Sequence, residues 1–202
     1  MLFNHFWVGF TISFIGSLPL GVLNLTIIDI SLKRSLWQAF YFALAACLVE
    51  YGQAFIAIKF SSVLATYPDL TYYINLFVIP VFLGLGLYYF FKQDEPTEQQ
   101  KEPSSDFSRG LLLSLINPLA IPFWVAWGTI GHAKGWLVLE NLPITIFVLG
   151  ISLGTLATLM LFALASKLVI KKVATINKWI NEIIGVVLIV LGLYQIYRVF
   201  FA

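Results

Sequence analysis

Six long apolar runs constrain the fold of this chain more than any other feature. They cover residues 6–28, 37–58, 70–91, 110–131, 141–166 and 183–197. Most are close to the roughly 20 residues with which an α-helix crosses a ~30 Å hydrocarbon layer. None alternates in polarity as a barrel strand does, and lipid admits only helices or closed barrels as spanning structures. The sequence therefore predicts an all-α polytopic membrane protein with six transmembrane helices.

The composition supports a membrane protein and excludes several other classes. Of the 202 residues, 60% are hydrophobic and only 11% are charged, whereas soluble domains carry about 25% charged residues. The first run is too long for a signal peptide and no Lys or Arg precedes it in residues 1–5, so we expect it to remain as a helix. The net charge of +2 comes from scattered basic residues, which predicts no nucleic-acid partner.

The inventory of reactive side chains is equally restrictive. Cys47 is the single cysteine, so no intramolecular disulfide or thiol relay can form. His5 and His132 have no second histidine or carboxylate at ligand spacing, so we expect no metal site. No set of Ser, His and Asp suggests hydrolysis. We therefore expect no cofactor and no enzymatic activity.

The basic residues predict the orientation in the membrane, because their excess marks cytoplasmic loops. Nine lie on one side and three on the other, which places both termini away from the cytoplasm. The first group is Lys33, Arg34, Lys92, Lys101, Arg109, Lys167, Lys171, Lys172 and Lys178, and the second is Lys59, Lys134 and Arg198.

Residues 92–109 are predicted to be a solvated cytoplasmic linker, because they hold two prolines, three serines and half of the chain's acids. A tether between two halves is the simpler interpretation, and a regulatory or docking role is the alternative. The predicted domains are a first three-helix repeat, residues 1–91, this linker, and a second three-helix repeat, residues 110–202.

Matching short patterns indicate that the two halves are related. An ordered Gly, Ser, Ile and Pro-Leu pattern recurs about 100 residues later, and Leu-Gly-Leu-Tyr occurs in both the third and the sixth run. With three helices per half, the copies enter the membrane from opposite sides, as in inverted-repeat transporters. Chance recurrence in apolar sequence is the alternative. The matched positions are Gly9/Gly110, Ser13/Ser114, Ile15/Ile116, Pro19-Leu20/Pro118-Leu119 and Leu85–Tyr88/Leu191–Tyr194.

Two prolines mark the predicted substrate site. Pro19 and Pro118 lie near the middle of the first and fourth runs, where a proline ring breaks the helical hydrogen bonds. The freed backbone groups must meet protein, water or a ligand within the membrane. Gly21, Asn24 and Asn117 lie beside them and add flexibility and amide groups. The alternative is that both kinks only shape helix packing.

Glu50 is the only formally charged residue inside the six runs. A charge at that depth costs about 2.5–3.5 kcal/mol on insertion scales. Glu50 and Gln53 share one helical face with small residues, which favours the bundle interior over lipid. We hypothesise that Glu50 binds a substrate ammonium group or carries a coupling proton, and a structural hydrogen bond to a broken backbone segment is the alternative. The small residues of that face are Ala43, Ala46, Cys47, Ala54 and Ala57.

Two further pairs have structural interpretations. Asp29 and Lys33 are one helical turn apart and are expected to form a surface ion pair. Gly150 and Gly154 form a GxxxG step, which is typical of close helix packing.

These motifs resemble those of the LysE family of bacterial inner-membrane amino-acid exporters. The segment Ser17–Asn24 resembles the family's first-helix signature, Leu115–Ala120 its Asn-Pro-Lys-Ala segment, and Gly185–Tyr194 its glycine-containing last helix. The resemblance covers nearly the whole chain. It implies a six-helix protein of the inner membrane that exports amino acids or related small solutes, driven by an ion gradient.

Two positions depart from the family pattern. Val22 stands where a second signature proline is expected, and Leu119 stands where a lysine is usual. Because of these departures, the family name alone does not define the substrate of this protein. The predicted partners are a small solute and the lipid bilayer, and a homodimer is left open. An inorganic-ion or metal carrier and a non-transporting membrane scaffold are the alternative functions.

Overall fold

The computed structural model describes residues 2–19, 21–91, 105–117, 120–168 and 180–201. Within these ranges the protein is all-helical, with eight helices of ten or more residues and no strand. The helices are α1 (Leu2–Gly16), α2 (Val22–Lys33), α3 (Leu36–Thr66), α4 (Pro68–Phe91), α5 (Asp106–Leu115), α6 (Ala120–Ala133), α7 (Asn141–Leu164) and α8 (Ile180–Phe200).

Two of the six apolar runs are divided between two helices. In the first run α1 ends at Gly16 and α2 begins at Val22, and Pro19 lies in the interval. In the fourth run α5 ends at Leu115 and α6 begins at Ala120. Both divisions are expected from proline, which removes a backbone donor and clashes with the preceding turn. Pro118, the proline of the second interval, lies outside the described residues.

The start of α5 corrects one boundary of the predicted linker. The helix begins at Asp106 rather than at residue 110, because Ser105 caps it by accepting a 3.2 Å hydrogen bond from the backbone nitrogen of Ser108. Residues 106–109 are therefore helical, and Asp106 is buried. Residues 92–104 of the linker lie outside the described part of the chain.

Helix length and composition identify two candidate membrane spans among the described residues. These are Leu36–Leu64 of α3 and the whole of α7, with 29 and 24 residues. Helices α5 and α6, which are bent by 62° relative to each other, add a third if they form one broken span. Large apolar side chains on the outer faces of α3 and α7, including Ile56 and Leu153, are exposed, as expected for contact with lipid tails.

The described helices fall into two compact units. The first contains α1, α2, α5, α6, α7 and α3 up to Val63. Its core includes the small face of α3, where Ala43, Ala46, Ala54 and Ala57 are at most 1% exposed and Cys47 is buried. The prediction that this face points into the protein is confirmed.

Glycines bring the backbones of the first unit into direct contact. A Cβ atom added to Gly150 or Gly154 of α7 would overlap the carbonyl oxygen of Phe6 or Phe10 of α1. The close packing predicted for the GxxxG step is therefore confirmed. A Cβ atom at Gly9 would overlap the carbonyl oxygen of Phe147 in the same interface.

The second unit contains α4 and α8, which pack through glycines as well. A Cβ atom at Gly86 of α4 would lie 2.7 Å from Cγ1 of Ile189. A Cβ atom at Gly192 of α8 would lie 2.8 Å from Cδ2 of Leu83. Each helix therefore contributes one glycine against which an aliphatic side chain of the other helix lies.

Candidate functional site

The interval between α1 and α2 is held by the side chain of Asn24. Its Nδ2 atom donates to the carbonyl oxygens of Ser17 and Pro19, both at 2.8 Å. Asn24 is only 5% exposed, and it lies in the first turn of α2, from which its amide can reach back over the interval. The carbonyl groups of Ser17 and Pro19, which the interruption leaves without helical partners, therefore find a donor inside the protein.

Gly21 lies at the other end of this interval. It is the N-cap of α2 in an extended conformation, with φ −122° and ψ −178°, and no side chain caps the helix there. A Cβ atom at Gly21 would meet no atom within 4 Å. Space is therefore open beside the amino terminus of α2, where unpaired backbone N–H groups are concentrated.

The end of α5 is tied to α3 through Gln53. The Nε2 atom of Gln53 donates to the carbonyl oxygen of Ser114 at 3.2 Å, and the backbone nitrogen of Asn117 donates to the same oxygen at 3.2 Å. Gln53 and Asn117 were both expected at the site from the sequence, and the structure brings them to one carbonyl group.

Glu50 lies one turn before Gln53 on α3 and contacts two other helices. The indole nitrogen of Trp124 on α6 donates to Oε1 of Glu50 at 3.3 Å, and the hydroxyl of Thr155 on α7 lies close to this carboxyl group. Trp124 is only 2% exposed. Glu50 therefore faces the interior of the first unit.

Thr155 connects Glu50 to the end of α1 through hydroxyl groups. The Thr155 Oγ1 atom lies 2.6 Å from Oγ of Ser13 and 3.4 Å from Oγ of Ser17. A chain of polar side chains thus runs from Glu50 to the interval that contains Pro19. Sequence reasoning missed Trp124 and Thr155, because neither carries a charge or a motif. Ser13 was noticed only as part of the repeat.

The two interrupted helices lie next to each other at this site. A Cβ atom at Gly16, the last residue of α1, would lie 3.0 Å from Cζ of Phe123 on α6. Five helices of the first unit therefore supply a polar cluster, and both helix interruptions border it. The cluster consists of Ser13, Glu50, Gln53, Ser114, Trp124 and Thr155. Its carboxyl, amide and hydroxyl groups can bind a small solute through hydrogen bonds and one charge.

A second polar feature joins the two interrupted helices at another position. Arg34, which follows α2, donates from one nitrogen to both carboxylate oxygens of Asp106 at 3.0 and 3.1 Å. The Asp106 side chain is 5% exposed and that of Arg34 is 33% exposed. A pocket of about 240 Å³ borders the pair and is also lined by Gln38 and Tyr41.

Comparisons with known proteins identify the family of the chain. The family described as "LysE type translocator" matches residues 14–198. A protein of Bacillus subtilis (strain 168) named "Putative amino acid efflux protein YcgF" is 31% identical over an alignment of 147 residues that covers 69% of this chain and 69% of that protein. No solved structure matches the chain. The match covers most of the chain, including both helix interruptions and all of the polar cluster except Ser13, so the chain belongs to the LysE type translocator family, whose members are multi-pass membrane transporters.

Proposed function

We propose that this protein is a secondary transporter of the bacterial inner membrane that exports amino acids or related small solutes and uses an ion gradient. One observation carries the proposal: two helix interruptions lie beside a polar cluster that contains the partly buried Glu50. Discontinuous helices of this kind form the solute sites of many secondary transporters. The family and the name of the Bacillus relative support the same function.

We further propose six spans arranged as two inverted repeats, residues 1–91 and 110–202. Matched contacts support this arrangement. Gly9 packs on the Phe147 carbonyl, and its counterpart Gly110 packs in the same way on the carbonyl of Phe42. In the second unit, Gly86 packs on Ile189 and Gly192 packs on Leu83. The spacing from Gly86 to Gly192 equals the spacing from Leu83 to Ile189.

Two contacts support the grouping of loops on which the proposed orientation, with both termini away from the cytoplasm, depends. Arg34 and Asp106, from segments assigned to the basic side, form an ion pair. Lys59 and Asn141, from loops assigned to the opposite side, form a hydrogen bond. Each contact joins residues that the distribution of basic residues places on the same side.

The proposed mechanism follows from the charges that the site offers. The open amino terminus of α2 at Gly21 favours a carboxylate, because backbone N–H groups concentrate partial positive charge there. Glu50 favours an ammonium group or carries the coupling proton, and Gln53 and Asn117 lie beside it at the second interruption. Pro19, Pro118 and Asn24 keep the two helices interrupted. Rocking of the repeats around this site would then expose it to each side in turn.

Transport by purified protein in liposomes tests the proposal. We would measure the flux of each of the twenty common L-amino acids with and without a pH gradient. We expect flux of at least one amino acid, faster with the gradient, and loss of the gradient's effect in Glu50→Gln. A pH dependence that persists unchanged in Glu50→Gln would remove Glu50 from coupling.

The same assay separates the alternatives. A membrane scaffold should tolerate Pro19→Ala, Pro118→Ala and Glu50→Gln, provided that the variants fold. A transporter should lose flux in the two proline variants and lose the effect of the gradient in Glu50→Gln. An inorganic-ion carrier would move none of the amino acids but would move ions in the same liposomes.

A further inference from the structure

The hydroxyl group of Ser114 has no partner in the described part of the structure. Ser114 is 3% exposed, and its Oγ atom is the buried side-chain atom without a hydrogen bond among the described residues. A hydroxyl buried in this way costs about 1–3 kcal/mol. Ser114 also lies at the second interruption. Its carbonyl oxygen accepts hydrogen bonds there from the Gln53 side chain and from the Asn117 backbone nitrogen.

The proposed repeat indicates which residue corresponds to the partner of Ser13 in the other half of the chain. Ser13, the counterpart of Ser114, hydrogen-bonds Thr155, which lies eight residues after the Phe147 on which Gly9 packs. Eight residues after Phe42, on which Gly110 packs, is Glu50. Under the proposed repeat, Glu50 is the counterpart of Thr155 and therefore the expected partner of Ser114, whereas the carboxyl group of Glu50 accepts a hydrogen bond from Trp124.

We propose that the Ser114 hydroxyl binds the ammonium group of the transported solute together with Glu50. This inference rests on the proposed function and adds a residue to its site. An ammonium group has three donors and no acceptor, so it fits between a carboxyl group and a hydroxyl oxygen. Gln53, one turn from Glu50, fixes the Ser114 backbone and thereby positions the hydroxyl.

Ser114→Ala in full-length protein in liposomes tests the inference. For the amino acid that the unaltered protein moves fastest, we expect KM to rise about tenfold, since a hydrogen bond to a charged group is typically worth at least that factor. The maximal rate should change little. The unfolding temperature should not fall, because the variant removes a hydroxyl that has no partner. An unchanged KM would overturn the inference.

Two matched serine variants control for packing. Ser61 is 1% exposed and donates to the Ile58 carbonyl at 2.7 Å, away from the cluster, so Ser61→Ala should keep KM unchanged. Ser13→Ala removes the bond to Thr155 and should lower the unfolding temperature, unlike Ser114→Ala. A fall in unfolding temperature for Ser114→Ala would show a structural role and would also overturn the inference.

Competition tests the identity of the bound group. The transported amino acid and its α-hydroxy acid differ only in the ammonium group, and the preference for the amino acid as a competitor should fall about tenfold in Ser114→Ala. An unchanged preference contradicts the inference. If the unaltered protein moves none of the twenty amino acids, the proposed function fails and the inference falls with it. If the unaltered protein moves an amino acid and Ser114→Ala has the same KM for that amino acid, only the inference fails.

Discussion

The indole nitrogen of Trp124 lies 3.3 Å from Oε1 of Glu50 and donates a hydrogen bond to it. The bond joins α6, which follows the second helix interruption, to the middle of α3. An indole N–H group can only donate a hydrogen bond. The Glu50 oxygen that it contacts therefore acts as the acceptor. It also gives the carboxyl group a partner in a region where an unpaired charge is costly.

A double-mutant cycle on this pair should show coupling. Trp124→Phe removes the N–H group and Glu50→Met removes the acceptor while keeping a similar volume. We expect the two changes in the free energy of unfolding to differ from additivity by about 1 kcal/mol. Denaturant unfolding of the four proteins in detergent micelles measures this. Additivity would show that the pair contributes nothing to stability.

Gly150→Ala should destabilise the protein, because the added methyl group would overlap the carbonyl oxygen of Phe6. Backbone atoms cannot move aside as side chains do, so we expect a loss of about 1–3 kcal/mol in the free energy of unfolding. Gly52→Ala on α3 is the control, since a Cβ atom there meets nothing within 4 Å. It should be neutral or stabilising by up to about 1 kcal/mol. Equal losses in both variants would contradict the close packing of α1 and α7.

Asp106→Asn should lower the free energy of unfolding by about 2 kcal/mol. Loss of one partner of a fully buried ion pair costs more, but Arg34 is one-third exposed and water replaces part of the interaction. Asp29→Asn is the matched control, because its 2.7 Å pair with Lys33 is exposed and should contribute less than about 0.5 kcal/mol. Thermal unfolding at low salt measures both. A loss for Asp29→Asn as large as that for Asp106→Asn would show that burial does not strengthen the Arg34 pair.

Asn24→Asp should destabilise the interval between α1 and α2. The substitution keeps the shape but replaces the amide donor with a carboxylate, which leaves the carbonyl groups of Ser17 and Pro19 without this donor. We expect a loss of about 1–3 kcal/mol per carbonyl group, and lower flux. Asn141→Asp is the control, because it keeps the acceptor for Lys59. Unchanged unfolding and flux in Asn24→Asp would mean that the hydrogen bonds from Asn24 do not stabilise the interval.

The sequence predicted the local elements well for physical reasons. Apolar runs of bilayer length form helices because lipid offers no other partner for the backbone. Pro19 marks an interruption because its ring cannot continue a helix. The small face of α3 packs inward because small residues let helices approach closely. The start of α5 was placed four residues late, since the capping role of Ser105 and the partner of Asp106 are not apparent from hydropathy.

Contacts between distant residues were decided only by the tertiary structure. Thr155 and Trp124 carry no charge, and nothing near them in the sequence indicates that both meet Glu50. The unpaired hydroxyl of Ser114 is likewise a property of its surroundings and not of its helix. Helix positions follow from each residue's own preference and its neighbours within a turn. The polar cluster instead depends on how residues about 100 positions apart come together, and that depends on packing throughout the first unit.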